Sequence, residues 1–252
     1  MKVIFVGAGP GDPELLTIKG RRLLRNCRCC IYAGSLVSPR VLALLPSTAK
    51  KHDSARLTLA QMTRIYRQAQ KQKVDVIRLH SGDPSIYGAI REQMNELDKL
   101  GIRYEVVPGV SSFQAAAAAL QTELTAPEIS QTIVLTRVAG RTPVPLCQSL
   151  GRLARTRSTL CLFLSVNQIG AMVKTLARDY GWHCPIAVVY RASWPDEKII
   201  RGTLQDISAK VTAAKISQTA MIIVGQALLR KIPVSKLYDA RFSHGCRKGK
   251  RT

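Results

Sequence analysis

The chain begins with the stretch KVIFVGAGPGDP at residues 2–13, where an apolar run of strand length meets a glycine-rich turn. Glycine lets a backbone turn through positive φ and approach another group closely. A segment of helical period follows near 14–25, so the stretch predicts a strand, a tight turn and a helix. This order favours an α/β protein with a mostly parallel sheet.

The same alternation of short apolar runs and longer helical patterns continues along the first half. It predicts strands near 2–7, 29–33, 74–80 and 103–107, and helices near 14–25, 58–72, 86–100 and 111–119. In the second half the predicted strands lie near 131–136, 158–164, 185–190, 198–202 and 219–225. The short polar turn between the runs 185–190 and 198–202 favours an antiparallel hairpin, which predicts a mixed sheet.

The helical pattern breaks between 120 and 130, where turn-forming residues cluster. We therefore predict an α/β domain over 1–120 and a second one over 121–240. Residues 241–252 are basic and carry no apolar residue after Cys246, so we expect a disordered tail.

The charge balance is strongly basic, with 38 Lys and Arg against 16 Asp and Glu and a formal net charge of +22. Such a field suits a polyanionic partner, either a nucleic acid or a small molecule with many carboxylates. Aromatic residues are only 5% of the chain, and none is interleaved among Arg21, Arg22 and Arg25. The sequence therefore does not predict a base-stacking surface, although the charge leaves nucleic acid open.

Several other classes of protein lack support. The amino-terminal residues have no signal-peptide pattern, and no apolar run approaches the length of a membrane span, so we expect a cytoplasmic protein. The seven cysteines show no pair of metal-spaced motifs, so no metal site is predicted. Dinucleotide binding is also disfavoured, because the glycine spacing is GxGxG, Pro10 lacks a backbone donor, and 15–52 contains no acid for a ribose.

Two further loops follow predicted strands. The stretch SGDPSIYG at 81–88 places Asp83 after a strand, where a carboxylate binds hydroxyls or an ammonium group, or caps the next helix. The stretch VPGVSSF at 107–113 opens an Ala-rich helix with two serines, which are also ordinary capping residues. Three such loops at the carboxyl ends of strands in one half of the chain together predict a ligand site.

Together with LLT at 15–17, these three loops resemble the signatures of the tetrapyrrole (corrin/porphyrin) methyltransferases, which use S-adenosylmethionine. The likeness extends through 159–167, 185–191, 202–204 and 220–225. The stretches YAGSLV at 32–37, TRVAGRTPVP at 136–145 and YRASWPDEK at 190–198 are similar to the branch that methylates precorrin-4, or its cobalt form, at C11. The resemblance implies cobalamin biosynthesis, a two-domain fold with the active-site cleft between the domains, and a homodimer.

The resemblance also implies site residues. For the cofactor they are Pro10, Ser81, Gly82, Asp83, Ile86, Ser111, Ser112, Leu164, Ala192 and Ala220. The two serines at 111 and 112 stand where the family often has Thr-Ala, and Leu164 stands where it often has Met. Candidate clamps for substrate carboxylates are Arg137, Arg141 and Arg191.

The catalytic residues are not identified from the sequence. A sulfonium donor leaves as a neutral thioether and needs no proton, so the enzyme chiefly aligns the reactants and excludes water. His80 is the nearest titratable residue to the second loop, and for a lone His after a strand we favour a structural role. The group that removes the proton from the methylated macrocycle is not indicated.

Three alternatives stay open at this point. The first is a methyltransferase of the same fold that acts on another tetrapyrrole. The second is one that acts on ribosomal RNA ribose; in that branch the second loop reads GDAGTP, where this chain has GDPSIY. Diphthine synthesis is disfavoured, because that branch lacks the Trp194-Pro195-Asp196 turn. The last is a non-enzymatic RNA-binding protein that keeps the fold.

Overall fold

The computed structural model describes residues 1–140, 142–229, 231, 233, 235 and 239–248. The chain divides into two compact units. The first consists of Met1–Ala116 with Arg191–Lys198, and the second of Ala117–Tyr190 with Ile199–Thr252. The sequence pattern does not show that Arg191–Lys198 belongs to the first unit, because the predicted second domain, 121–240, includes these residues.

The first unit is built on a parallel sheet, as predicted, and the sheet has five strands. Its strands are β1 (Lys2–Gly7), β2 (Cys29–Tyr32), β3 (Lys50–Asp53), β4 (Val76–His80) and β5 (Arg103–Val107). The spatial order is β3-β2-β4-β1-β5, so β1 lies between β4 and β5. The helices are α1 (Ile18–Arg25), α2 (Pro39–Leu42), α3 (Leu59–Lys71), α4 (Ile90–Lys99) and α5 (Ser112–Ala119), the last continuing past the unit boundary.

The second unit contains a mixed five-stranded sheet, which confirms the prediction of a change in sheet type. Its strands are β6 (Ile133–Arg137), β7 (Thr159–Phe163), β8 (Pro185–Tyr190), β9 (Lys198–Thr203) and β10 (Ala220–Val224). The order is β6-β7-β10-β8-β9, with β10 antiparallel to both β7 and β8. The helices are α6 (Leu150–Ala154), α7 (Ile169–Tyr180) and α8 (Ile207–Ala213).

The apolar run of β1 is buried on both faces of its sheet. Val3 and Phe5 belong to a cluster that contains Tyr66 of α3, whereas Ile4 and Val6 belong to one that contains Leu24 of α1. Successive side chains of a strand point to opposite faces, so helices cover the sheet on both sides. This accounts for an unbroken apolar run where a half-exposed strand would alternate.

One strand and the starts of two helices differ from the predictions for local physical reasons. Strand β3 was not predicted, because its sequence KKHD is polar, as suits the edge of a sheet. Helix α1 begins at Ile18 instead of residue 14, because the Thr17 hydroxyl accepts a hydrogen bond from the Gly20 N–H and caps it there. Helix α4 begins at Ile90 instead of residue 86, because Tyr87 and Ala89 have positive φ.

None of the helices in the described ranges is both long and apolar enough to cross a membrane. Within the same residues, no three His, Cys, Asp or Glu side chains converge in a way that could hold a metal ion. Near the carboxyl end, residues 241–248 include short turns and an isolated bridge between His244 and Arg247. The last four residues of the predicted tail, 249–252, lie outside the described residues.

A buried guanidinium links the middle strand to two helices of the first unit. Arg78 of β4 is 5% exposed, and its Nε donates to the Gln93 side-chain oxygen at 2.9 Å. Its Nη1 donates to the carbonyls of Ile31 and Leu79 at 3.3 and 3.2 Å. The Tyr66 hydroxyl donates to the same Gln93 oxygen at 2.9 Å, so one amide of α4 accepts from both α3 and β4.

The shared acceptor predicts unequal costs for two substitutions. Tyr66→Phe removes one donor and leaves no group unpaired, so we expect a loss of about 1 kcal/mol in unfolding free energy. Gln93→Leu leaves both Arg78 Nε and the Tyr66 hydroxyl without this acceptor, so we expect about 3 kcal/mol. In urea denaturation followed by circular dichroism, the double variant should cost clearly less than the sum. Additive losses would show that the shared bond is not formed.

His80, the last residue of β4, is also buried, at 4% exposure. Its ring lies 6.0 Å from that of Phe5, and its Nε2 has no hydrogen-bond partner in the described part of the chain. Burial and the nearby charge of Arg78 lower the pKa of the imidazole to about 3. The side chain is therefore neutral at neutral pH, which agrees with a structural role.

This depressed pKa predicts a dependence of stability on pH. Between pH 6.5 and 3, His80 binds a proton in the unfolded chain but not in the folded one. The stability that comes from neutral, buried His80 is therefore fully present above pH 6.5 and is lost as the pH falls toward 3. Relative to His80→Phe, the native chain should lose up to about 1.4 kcal/mol of unfolding free energy per pH unit in this window. Denaturation series at several pH values measure the difference, and a constant difference would contradict the prediction.

Candidate functional site

Three loops of the first unit meet at the carboxyl edge of the parallel sheet. They follow β1, β4 and β5, and these strands are neighbours because β1 lies between the other two. Their backbones meet at three glycines, Gly7, Gly82 and Gly109. A Cβ on Gly7 would lie 2.6 Å from both the Gly109 N and the Gly82 O, and one on Gly109 would lie 2.3 Å from the same oxygen. No side chain fits at Gly7 or Gly109 unless the loops separate.

Hydrogen bonds between backbones fix the first loop to the second. The Ala8 N–H donates to the His80 carbonyl at 2.7 Å, which continues the β1–β4 pairing beyond the strands. The Gly82 N–H donates to the Gly9 carbonyl at 2.8 Å, and the Gly9 N–H returns a bond to Gly82 at 3.3 Å. Gly9 and Gly82 both have positive φ, at 69° and 62°, which glycine adopts at little cost.

Asp83 fixes the second loop to the third. Its Oδ2 accepts from the Gly109 N–H at 2.9 Å, and its Oδ1 accepts from the Ser85 N–H at 2.8 Å and from the Ser85 hydroxyl. Partial burial acts to raise the pKa of this carboxyl, but the bonds from Ser85 and Gly109 outweigh it and the pKa is lowered. Asp83 is therefore an ionised carboxylate that joins the two loops. It does not cap α4, which begins seven residues later.

The segment Arg191–Lys198 packs on the first loop. The Trp194 Nε1 donates to the Pro10 carbonyl at 2.8 Å, and a Cβ on Gly11 would lie 2.1 Å from the indole Cδ1. The Asp12 N–H donates to the Ser193 hydroxyl at 3.0 Å. Ala192 is 5% exposed within this segment, so the structure brings it into the same unit as Pro10.

The remaining predicted cofactor residues of this unit offer side chains to a ligand. The hydroxyls of Ser81 and Ser112 form no hydrogen bond with other described residues, and both side chains are half-buried. Ser111 is 3% exposed at the start of α5, and Ile86 is half-buried in the second loop. Atoms of Ser111 and Ser112 come no closer than 3.6 Å to a Cβ built on Gly82. Unpartnered hydroxyls beside apolar surface fit a ligand with both polar and apolar parts, such as S-adenosylmethionine.

Other predicted site residues belong to the second unit. Leu164 follows β7 with a φ of 53° and is 67% exposed, a high value for a leucine, and Ala220 begins β10 opposite Tyr190. Arg137 ends β6, and its guanidinium donates to the carbonyls of Val138, Thr142 and Pro143, the last at 2.7 Å. Arg137 thus holds the loop that follows it. Arg141 lies outside the described residues.

Arg191 also has partners within the first unit. Its Nη1 lies 2.6 Å from Asp196 Oδ2, and its guanidinium carbon lies 4.9 Å from the centre of the Trp194 ring. An ion pair and a cation–π contact hold the side chain against the turn that covers Pro10. A carboxylate ligand would have to share this guanidinium with Asp196.

The sequence reasoning missed the structural part played by Trp194. The residue was singled out only as a mark of one branch, yet its indole occupies the space that Gly11 leaves. A usable signal was present, because a glycine that binds no phosphate needs another reason for lacking a side chain. The same argument applies to Gly7 and Gly109, whose missing side chains allow backbone contact.

The sequence is similar to those of known proteins. A family model described as tetrapyrrole (corrin/porphyrin) methylases matches residues 2–208. The cobalt-precorrin-4 C(11)-methyltransferase of Methanocaldococcus jannaschii is 51% identical over 249 residues, covering 98% of this chain and 96% of that protein. The precorrin-4 C(11)-methyltransferase of Pseudomonas aeruginosa is 49% identical over 250 residues, covering 99% of this chain and 100% of that protein.

Solved structures give the same result. The crystal structure of a cobalt precorrin-4 methyltransferase, a cobalamin biosynthetic enzyme, superposes with a TM-score of 0.88 at 42% identity, covering 90% of this chain and 96% of that one. A uroporphyrin-III C-methyl transferase from Thermus thermophilus, complexed with S-adenyl homocysteine, has a TM-score of 0.76 at 30% identity, covering 90% and 93%. The chain belongs to the tetrapyrrole (corrin/porphyrin) methylase family.

Proposed function

We propose that this protein transfers a methyl group from S-adenosylmethionine to C11 of precorrin-4 or its cobalt form, a step of cobalamin biosynthesis. The observation that carries the proposal is that similarity to two precorrin-4 methyltransferases extends over nearly the whole chain. The related structure with bound S-adenyl homocysteine supports the choice of cofactor. A homodimer, which the resemblance implies, and a cytoplasmic location, which the sequence predicts, are part of the same proposal.

When bound, S-adenosylmethionine supplies an electrophilic methyl group on a sulfonium. The residues of this chain then have to hold donor and acceptor in line and keep water away, since the thioether leaves without a proton. The described residues suit that task, because the three loops are fixed to one another by backbone contacts and by Asp83. We assign Ser81, Ser111 and Ser112 to the polar part of the cofactor, and Pro10, Ile86 and Ala192 to its apolar surroundings.

The residues of the second unit, and Arg191 of the first, keep their predicted assignments within this proposal. Leu164 and Ala220 would complete the cofactor surroundings, and Arg137, Arg141 and Arg191 would face the substrate carboxylates. For Arg137 and Arg191, a carboxylate would compete with partners that each guanidinium already has. We therefore expect their substitution to alter the loops that they hold as well as the Michaelis constant for substrate.

The direct test is methylation with labelled S-adenosylmethionine. Purified protein is incubated in parallel with precorrin-4, with cobalt-precorrin-4 and with a ribosomal RNA fraction, and the products are analysed by mass. We expect a gain of one methyl group, at C11, in one or both tetrapyrroles and no label in RNA. Label found only in RNA would contradict the proposal. Methylation at a carbon other than C11 would contradict the proposed position and indicate another branch of the family.

The contact of the three loops predicts how a single methyl group affects cofactor binding. A Cβ introduced by Gly109→Ala would lie 2.3 Å from the Gly82 carbonyl oxygen, so the second and third loops must separate. We expect the affinity for S-adenosylhomocysteine, measured by calorimetry, to fall at least about tenfold, because displaced groups no longer meet the ligand.

The matched control is Gly151→Ala in α6, where the new Cβ would come no closer than 3.7 Å to any neighbour outside the helix backbone. It adds the same methyl group in the second unit and should leave the affinity within about twofold, since alanine is a good helix former. Circular dichroism of both variants checks that the fold is kept. Unchanged affinity in folded Gly109→Ala would show that the cofactor does not depend on these loops.

A further inference from the structure

A groove lies at the amino edge of the first unit's sheet, opposite the three loops of the candidate site, and between the strands and α3. Its volume is about 550 Å³, within the usual range for small-molecule sites. One wall is formed by the side chains Ile65, Gln68, Ala69 and Gln72. Their spacing of three, four and seven residues places them on one face of the helix and its last turn.

Basic side chains line the opposite wall. Lys50 and His52 are two residues apart on β3, so they point to the same side of the strand. Arg28 precedes β2, and its carbonyl accepts from the Lys50 N–H at 3.0 Å, which places the two residues side by side. These three basic residues enter one concavity from adjacent strand ends.

No acid among the described residues neutralises Arg28 or Lys50. The side chains of Arg28 and Lys50 form no ion pair and no hydrogen bond with other residues in the described part of the chain, and none of the described residues that line the groove is Asp or Glu. The surrounding stretch 15–52 carries eight Lys and Arg without a single Asp or Glu. The carbonyl end of α3 supplies only about half of one negative charge. The groove therefore has an excess of positive charge that its own residues do not balance.

The buried residues that line the groove are apolar. Cys29 and Ala69 are buried at its base, and Ile65 and Val74 are half-buried and belong to the hydrophobic cluster beneath the sheet. The exposed amides of Gln68 and Gln72 add neutral donors and acceptors at the rim. Such a lining suits a ligand with a charged anionic end and an uncharged body of mononucleotide size.

We propose that this groove is a binding site for a small organic phosphate, separate from the methyl-transfer site. A phosphate presents three anionic oxygens and can meet the Arg28 fork, the Lys50 ammonium and the His52 ring together, whereas one carboxylate has only two oxygens. The groove opens where β2 and β3 begin, and the three signature loops follow the ends of β1, β4 and β5. In a parallel sheet these are opposite edges, so both ligands can bind at once.

The test is calorimetric titration with ATP and with inorganic tripolyphosphate at about 0.15 M salt, in the presence and absence of saturating S-adenosylhomocysteine. We expect one saturable ATP site per chain that persists when S-adenosylhomocysteine is present, since adenine ligands are then excluded from the cofactor site. Arg28→Gln and Lys50→Gln should each weaken ATP binding about tenfold or more. Gln68→Glu, an exposed substitution that adds a negative charge to the groove, should weaken it as well.

Lys51→Gln is the matched control, because Lys51 is the next residue of the same strand, is exposed, and does not line the groove. It removes the same charge from the other side of β3 and should change the affinity less than twofold. An equal loss of ATP affinity in Lys51→Gln and Lys50→Gln would show that ATP responds to the overall positive charge of the protein and not to the groove. That result would overturn the proposal. Absence of saturable binding, or binding of citrate in preference to both phosphates, would overturn it too.

Discussion

The contact between the backbones of three loops is the constraint on which the site depends. It exists because the sheet order places β1 between β4 and β5, so the turns after these strands leave the same edge side by side. Parallel strands lie slightly less than 5 Å apart, which leaves no room for side chains between adjacent turns. Gly7 and Gly109 fit in this narrow space because they have no side chain. The Asp83 carboxylate in the second loop also accepts a hydrogen bond from the Gly109 N–H in the third. Any ligand at this edge meets a surface whose shape is set before the ligand arrives.

This constraint changes the meaning of the glycine-rich turn. From the sequence, its glycines indicate close approach of the backbone to a ligand, as in dinucleotide-binding proteins. In the structure, Gly7 approaches another backbone and Gly11 approaches the indole of Trp194. Among the glycines of the three loops, only Gly82 would place a Cβ at ordinary contact distance, with nothing closer than 3.6 Å. The turn is therefore a packing device, and the groups left to face a ligand are hydroxyls and apolar side chains.

The predictable part of the fold is the part that apolar pattern controls. The strands β1, β2 and β4 are marked by apolar runs that are largely buried on both faces, and the helices α3 and α5 by period and composition. The pattern does not mark β3, because an edge strand of KKHD has little apolar surface to bury. It also does not show that Arg191–Lys198 joins the first unit, since that depends on an indole, a serine hydroxyl and a glycine far apart in the chain. Long-range side-chain contacts of this kind leave no periodic signal.

The scarcity of acids decides how the cations of this protein are used. The described residues contain six ion pairs, so most Lys and Arg side chains have no carboxylate to meet. Where a guanidinium is buried, as at Arg78, neutral carbonyls and an amide accept its hydrogen bonds instead. Arg137 is held in the same way by three carbonyls. A cation satisfied by neutral acceptors keeps its net charge, so the positive field of the chain is not reduced by folding. Such a field is focused where unpaired cations enter a concavity with low-dielectric walls, and the groove beside β3 meets both conditions.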